Sequence, residues 1–460
     1  MKLNRWLLAG IAGVQISLTS FAAEDADTLD ALKQQIQLLD QKVRILERKR
    51  ENDQDAADAK AKDAPRVSIG QSGFAFTSAD TNFAVKIKGV LQFDSRTFFN
   101  DHPALVGNDG FLLRRARPII EGTVFRDFDF SFVPEFGGSG TPSIFDAWLN
   151  YRYRPELQVR VGKFKSPVGL EQLLADKDLL FNERSLVTGL VPNRDVGAQI
   201  WGDISGGVAS YAFGIFNGVG DGRNTSNVDY DDNKEFAGRV FFQPFKQSDK
   251  DALRGFGFGV AGSYTTISSN ATGLPNNSGF ATDGQQQFFT YTNNVVANGA
   301  HWRLSPQAYY TFGSFGLLGE YAISEQEVTR GALSRTLRNT AWQVTGQWVL
   351  TGEDATFTGI APKRPFDPRN GGWGAWQLVA RYATLDVDDA AFPLFANPAA
   401  SASEAKAWSV GLNWWLNKNV RVLTSYSHTD FEGGGRGTTT PGLVTHQPEN
   451  VLFTRVQLSF

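Results

Sequence analysis

Three arginines stand almost together in Phe111-Leu112-Leu113-Arg114-Arg115-Ala116-Arg117, the start of a stretch that runs on through Pro118-Ile119-Ile120-Glu121-Gly122-Thr123-Val124-Phe125. Guanidinium groups are planar forks of donors that meet carboxylate or phosphate oxygens two at a time. Two lysines, Lys163 and Lys165, lead into a long segment without strand alternation, 166–194. A wall of such cations facing water can hold anions weakly in succession, the condition for passing anions while rejecting cations. The stretch around Arg114 alternates with a period of two, so one strand face carries Arg115, Arg117, Glu121 and Thr123. The other carries Ala116, Pro118, Ile120 and Val124. Strict alternation leaves Arg114 on the apolar face, so either it lies at the headgroup rim or a β-bulge turns Arg114 and Arg115 inward together.

The rest of the chain says what kind of sheet could hold these residues. Its 460 residues include 36 Phe, 11 Trp, 11 Tyr and 47 Gly, with no Cys and one Met. Mean hydropathy is −0.27, too low for a bundle of membrane helices. From Asn82 onward about sixteen alternating segments follow one another, starting near Phe83, Leu112, Asp127, Ile144, Leu157, Asp195, Gly207, Glu235, Gly255, His301, Phe315, Thr340, Trp373, Lys406, Asn419 and Glu449. Their lengths suit tilted strands that cross a bilayer. The connections sort by side: tight turns at Arg126, Arg154-Pro155-Glu156, Ser205-Gly206, Gly313-Ser314 and Asn417-Lys418 alternate with long loops. The segments from Val219 to Lys234, Ile267 to Ala300, Glu325 to Arg338, Val387 to Glu404 and Phe431 to Asn450 read as long loops. Gly352 to Gly372 is a long connection on the short side. Such sorting, with aromatics beside the turns, is the pattern of a transmembrane barrel, and a soluble sandwich has no reason for it. The expected fold is all-β: a 16-stranded antiparallel transmembrane β-barrel with an N-terminal periplasmic coiled-coil helix.

The boundaries follow. Residues 1–22 read as a cleaved secretory signal, with Lys2 and Arg5 before an apolar run and small residues at its end. Formal net charge is −3, or −5 without Lys2 and Arg5, so anion binding must rest on where charges point. Residues 23–50 carry Leu29, Leu32, Ile36, Leu39, Val43 and Leu46 at spacings of three and four, a coiled-coil seam. Residues 51–81 read as a linker, and 82–460 as the barrel, with 166–194 as its constriction loop. The final Val451-Leu452-Phe453-Thr454-Arg455-Val456-Gln457-Leu458-Ser459-Phe460 alternates to a terminal Phe, like the last strand of outer-membrane barrels. In a wet bore, Lys86, Lys88, Arg96, Arg152, Lys163, Lys165, Arg239, Arg381 and Arg455 join the arginines of the second strand, among Asp94, Asp146, Glu121, Glu135 and Glu320. The bland alternative is a mixed-charge wall giving a general diffusion pore.

Enzymatic and metal-binding readings find little. A hydrolase needs a serine beside a histidine base, and no nucleophile motif accompanies His102, His301, His428 or His446. No His/Cys spacing suits a metal, and Asp229-Tyr230-Asp231-Asp232 reads as a solvated loop. Neither a cofactor nor a nucleic-acid partner is expected.

Several motifs carry a family resemblance. Arg114-Arg115-Ala116-Arg117, the run Gly162-Lys163-Phe164-Lys165-Ser166-Pro167-Val168-Gly169-Leu170-Glu171, Asn182-Glu183-Arg184, Leu350-Thr351-Gly352-Glu353, Trp376-Gln377-Leu378-Val379-Ala380-Arg381-Tyr382 and Gly411-Leu412-Asn413-Trp414-Trp415-Leu416-Asn417 resemble the phosphate-selective porins of the O and P type. The resemblance covers about Lys86 to Phe460. It implies a homotrimer of sixteen-stranded barrels in the bacterial outer membrane, set among lipid and lipopolysaccharide, with an arginine-lined pore for inorganic phosphate, short polyphosphate and other small anions. It assigns the paired arginines to Arg114 and Arg115, which favours the bulge, and a constriction aspartate to Asp146. The expected pore-lining set is Arg114, Arg115, Arg117, Asp146, Arg152, Lys163, Lys165 and Lys88. One departure bears on phosphate and not on the family. Where strong phosphate binders have a lysine and serines after Gly-Leu-Glu of the third loop, this chain has Gln172, Leu173 and Leu174.

Overall fold

A computed structural model describes residues 25–99, 109–138, 140–225, 227, 229–268, 279–436 and 448–460. The expected signal, His102 and His446 lie outside the described residues. The chain divides into two units, Met1–Ala64 and Pro65–Phe460.

In the first unit, helix α1 spans Asp25–Asp63. It passes the end expected at residue 50, because the Ala- and Lys-rich continuation favours helix and no Gly or Pro interrupts it before Pro65. Composition that reads as a linker is here helical. The seam residues Leu29, Leu32, Ile36, Leu39, Val43 and Leu46 stand exposed along this helix.

The second unit is a closed antiparallel barrel of sixteen strands. They are β1 (Ala84–Phe98), β2 (Gly110–Val124), β3 (Phe128–Glu135), β4 (Ser143–Arg154), β5 (Leu157–Lys165), β6 (Arg194–Ile204), β7 (Ala209–Phe216) and β8 (Glu235–Phe242). There follow β9 (Gly257–Ile267), β10 (Val296–Phe312), β11 (Phe315–Arg330), β12 (Leu333–Val349), β13 (Ala375–Asp386), β14 (Ser401–Trp415), β15 (Val420–Arg436) and β16 (Glu449–Ser459). Each strand pairs with its sequence neighbours, and β16 closes on β1 from Val451↔Phe98 to Ser459↔Val90. Closure leaves no unpaired backbone edge to face hydrocarbon, which is why sheet can cross a bilayer only in this form. The alternation works as expected: Leu113, Ile120, Leu149, Val161, Ile200 and Phe213 point outward and exposed, while Gln92, Asp94 and Arg455 are buried inside.

Two stretches differ from their sequence reading. Within the expected linker 51–81, Arg66–Gly70 and Gly73–Thr77 form a hairpin whose second arm pairs with β1, from Phe74↔Ile87 to Thr77↔Ala84. It takes up the edge of β1 that β16 leaves at Val90. Between them sits Phe460, whose backbone exchanges hydrogen bonds of 3.1 Å with Gly89. A side chain at residue 89 would meet the Phe460 ring, its Cβ falling 2.8 Å from the ring edge. The second difference is the long loop expected over Glu325 to Arg338. There β11 and β12 run on in register to Arg330↔Leu333 and join through a tight turn with Gly331 at φ +63°. Beyond the bilayer the outer face no longer needs apolar residues, so the alternation fades although the ladder continues. The same reason places the starts of β10 and β14 at Val296 and Ser401, ahead of the expected His301 and Lys406.

The long-loop end is not uniformly wet. A 3-10 turn at Leu186–Leu190 folds inside and buries Leu186, Val187 and Leu190 with Phe280, Phe288, Phe289, Leu337, Leu385 and Phe395. This apolar packing fixes the inward-folded loops against one wall.

Candidate functional site: the charged narrowing

The segment 166–193, loop 3, is fastened along the wall from β11 round to β1. Glu320 on β11 accepts from the backbone N–H groups of Leu170 (2.6 Å) and Glu171 (3.1 Å). Gln343 on β12 and Arg381 on β13 both donate to the Glu171 carboxylate. Asn413, Arg421 and Gln457, on β14, β15 and β16, donate to the carbonyls of Leu180, Leu179 and Lys177. Loop 3 thereby presents Asp176, Glu183 and Arg184 toward the arginines of β1, β2 and β16.

Two bulges shape the facing wall. Gln92 pairs with Arg115 and Phe93 with Leu113, so Arg114 is the extra residue and turns inward with Arg115, as the bulge expectation required. On β4, Val133 pairs with Asp146 and Pro134 with Ile144, which makes Phe145 the extra residue and brings its ring into the bore. The Cζ atoms of Arg117 and Arg194 lie 3.6 and 3.4 Å from the centre of that ring. Approach this close is possible only along the ring normal, so the guanidiniums occupy opposite faces, a paired cation–π contact.

Six arginines share four carboxylates here. Arg114 forks onto Glu183 at 2.6 and 3.0 Å. Arg115 reaches Asp176 and Glu183 at 3.5 and 3.8 Å and donates to Gln92 at 2.6 Å. Arg117 bridges Glu135 and Asp176, and Arg184 also holds Asp176. Arg455 forks onto Asp94 at 2.6 and 2.7 Å and touches Glu183 at 3.2 Å, with Arg96 3.7 Å from Glu183. The network therefore carries two positive charges in excess. Beside it, Arg194 pairs with Asp146 at 3.1 Å.

Two cavities flank this level. The one on the loop side has a volume of about 320 Å³ and is lined by Arg114, Arg115, Arg184 and Arg223 among others. The one on the turn side has about 420 Å³. They share Arg117, Phe145, Asp176 and Arg194, and these four residues form the narrowing between them.

The structure thus brings together Arg114, Arg115, Arg117, Asp146 and Lys165 of the expected set. Lys165 borders the turn-side cavity and donates to the Leu174 carbonyl at 2.7 Å. Lys163 instead donates to the Thr225 carbonyl (3.1 Å) and the Asn227 side chain (2.6 Å), tethering the loop after β7. Lys88 pairs with Glu121, and Arg152 with Asp129 at 3.3 Å, both toward the tight-turn end and away from the narrowing. Sequence reading missed Asp176 and Glu183 as partners, and Phe145 and Arg194 as bore residues. The available signal was electrostatic: buried guanidiniums need counter-charges nearby, and loop 3 supplies the closest unassigned carboxylates. His301, Ser324 and Asp221 do meet, but serine and aspartate both contact the same ring nitrogen, His301 Nε2, at 3.0 and 3.3 Å. That arrangement buttresses the loop after β7 and offers no proton relay. Among the described residues no group suits a metal ion.

The loop-3 carboxylates stay ionised in acid. Burial alone would raise Asp176, but Arg184, Arg115 and Arg117 outweigh it and hold the carboxyl well below its usual range. Burial likewise opposes Arg114, Arg115 and Arg455 at Glu183, which also ends low. Depressed values mean that their stabilising contribution is complete above the ordinary carboxylate range and is lost only as pH falls through the lower folded values. The contribution of Asp176 and Glu183 to ion selectivity in bilayers is therefore expected to stay constant from neutral pH down to about 4.5, near the ordinary Glu value. An anion preference that rises at mildly acidic pH in the parent protein but not in Glu183→Gln would show that these carboxylates are not held as described.

Comparison with known proteins bears on the family and the fold. The family profile described as "Phosphate-selective porin O and P" matches residues 85–460. The chain is 25% identical over 383 residues to porin O of Pseudomonas aeruginosa, covering 77% of this chain and 85% of that one. Among solved structures, the outer-membrane channel DcaP of Acinetobacter baumannii aligns over 85% of this chain and all of its own, with a TM-score of 0.53 at 12% identity. The trimer form of OmpT of Vibrio cholerae aligns over 82% of this chain and 99% of its own, with a TM-score of 0.51 at 12% identity.

Proposed function

The chain belongs to the phosphate-selective porin O and P family and is an outer-membrane β-barrel porin, a channel and not an enzyme; we propose that it passes anions in preference to cations, with inorganic phosphate foremost. One observation carries this. Both chambers beside the narrowing hold an excess of positive charge: six cationic against three acidic side chains on the loop side, and six against two on the turn side. A bore that is narrow and bordered by low-dielectric walls focuses such a field and enriches counter-ions. Guanidinium forks at Arg114, Arg115 and Arg184 supply phosphate contacts, each already weakened by a competing carboxylate. Weak contacts suit conduction, because the solute must leave as readily as it enters.

In the same reading, residues 1–22 are a cleaved signal. The helix α1 seam joins three copies in the periplasm, and the barrels form a homotrimer surrounded by lipid and lipopolysaccharide. A second reading, a general anion pore without phosphate preference, draws on the same carboxylates and on Gln172-Leu173-Leu174 in loop 3.

Reversal potentials across planar bilayers in a KCl gradient decide the first point: the expected sign is that of chloride permeation, and a potassium sign defeats the anion reading. Phosphate then separates the two readings. Reduction of chloride current by millimolar phosphate supports phosphate as solute, and undiminished current leaves a general anion pore.

A further inference from the structure

We infer that the turn-side chamber is a binding site for organic anions that pair a carboxylate with an apolar, ring-sized body. Three of its six cations differ in kind from those of the charged network. Arg160 on β5 and Arg239 on β8 line the chamber, and among the described residues neither forms an ion pair. Arg160 is surrounded by aromatic rings, its Cζ lying 4.4 Å from the Trp148 ring centre, 4.8 Å from Trp201 and 5.6 Å from Phe164. Its Nε is buried without a hydrogen-bond partner. Arg239 donates to the Gln307 side chain at 3.0 Å and stacks on Phe241 at 4.5 Å. Lys165, bonded only to a carbonyl, is the third cation without a carboxylate. The two carboxylates at the chamber wall, Asp146 and Asp176, are committed to Arg194 and to Arg115, Arg117 and Arg184.

The remaining wall is apolar to a degree that a phosphate path does not need. Val90, Ile119, Val133, Leu173 and Ala175 face the chamber together with the Trp148 and Phe164 rings. A volume of about 420 Å³ falls within the range of roughly 300–1,000 Å³ common to small-molecule pockets. A largely apolar cleft with a few converging charged groups is the usual form of such a pocket. An inorganic ion leaves the apolar wall unused. An aromatic carboxylate uses both parts, its carboxylate at Arg160 or Arg239 and its ring against Trp148 and the aliphatic side chains. This inference rests on the outer-membrane channel itself and not on phosphate preference.

The test uses the full barrel in planar bilayers, with benzoate as probe and acetate as the equally charged control lacking the ring, each added to both sides. Benzoate is expected to halve the chloride current at a concentration at least about tenfold below that of acetate, equivalent to about 1.4 kcal/mol of added affinity. Arg160→Gln and, separately, Arg239→Gln are expected to raise the half-blocking benzoate concentration at least about fivefold and the acetate value by a smaller factor. Equal block by benzoate and acetate overturns the site. So does unaltered benzoate block in both variants, each recorded as an open channel. Loss of phosphate inhibition in the parent protein would defeat the phosphate reading while leaving these outcomes unaffected, so the two failures are distinguishable.

Discussion

Replacing Arg114 and Arg115 together by alanine is expected to weaken the preference for anions, lowering the chloride-to-potassium permeability ratio about tenfold. The charge count gives the reason. The network of six arginines and four carboxylates loses its whole positive excess when these two are removed. At a separation of roughly 8 Å and an effective dielectric of about 20, each unit charge acts on a passing ion with about 2 kcal/mol. Screening at 0.1 M salt, with a Debye length of about 10 Å, reduces this by about half. Two charges then supply about 2 kcal/mol, more than enough for a tenfold change in permeability ratio. Glu183 meanwhile keeps only Arg455 and Arg96, so the bore also gains an under-compensated acid. Arg114→Lys with Arg115→Lys keeps the charge but loses the fork. That variant is expected to stay anion-preferring while its phosphate block weakens. Reversal potentials of the three proteins check the permeability ratios, and chloride currents in millimolar phosphate check the block. An unchanged ratio in the double alanine variant would take these arginines out of the ion path.

The second large effect is mechanical. Glu320→Ala removes the acceptor for the Leu170 and Glu171 N–H groups, where loop 3 meets the β11 wall. Each buried donor left without a partner costs about 1–3 kcal/mol. The start of loop 3 then detaches in a fraction of channels, and Asp176 no longer sits fixed at the narrowing. Single-channel records are expected to show closures and sub-states at least about tenfold more frequent than in the parent protein, as a loss of 1.4 kcal/mol or more implies. Glu320→Gln keeps one acceptor oxygen and should fall between the two. The comparison is informative because Glu320 forms no ion pair among the described residues and acts through hydrogen bonds, two to the loop-3 backbone and others to the Ser305 and Gln343 side chains. Quiet, full-size currents from the alanine variant would show that the apolar packing of Leu186, Val187 and Leu190 alone holds the loop.

Legibility in the sequence followed the physics of each element. The strands were readable where lipid forces one face to be apolar, as at Ala116, Pro118 and Ile120 opposite Arg115 and Arg117. They were misread where that pressure ends, as from Glu325 to Arg338, where the ladder continues with no apolar face to mark it. The hairpin of Arg66–Gly70 and Gly73–Thr77 was hidden for a related reason: its few residues sit among polar neighbours and gain order from pairing with β1. The bulge at Arg114 could be anticipated, because an arginine on the lipid face would cost roughly 2–4 kcal/mol. The bulge at Phe145 could not, because a phenylalanine is at home on either side.

By itself, the sequence determined a closed barrel of sixteen strands with sorted loops and basic residues directed inward, since a period of two beside hydrocarbon permits little else. Only the tertiary structure decided which cations are spent on carboxylates and which remain available. Arg114 finds Glu183 across 69 residues, and Arg117 finds Asp176 across 59, because loop 3 crosses the bore to reach them. Those encounters depend on the path of one inward-folded loop and on single-residue bulges. Neither leaves a periodic trace in the chain, because each is fixed by packing and counter-charge at a distance.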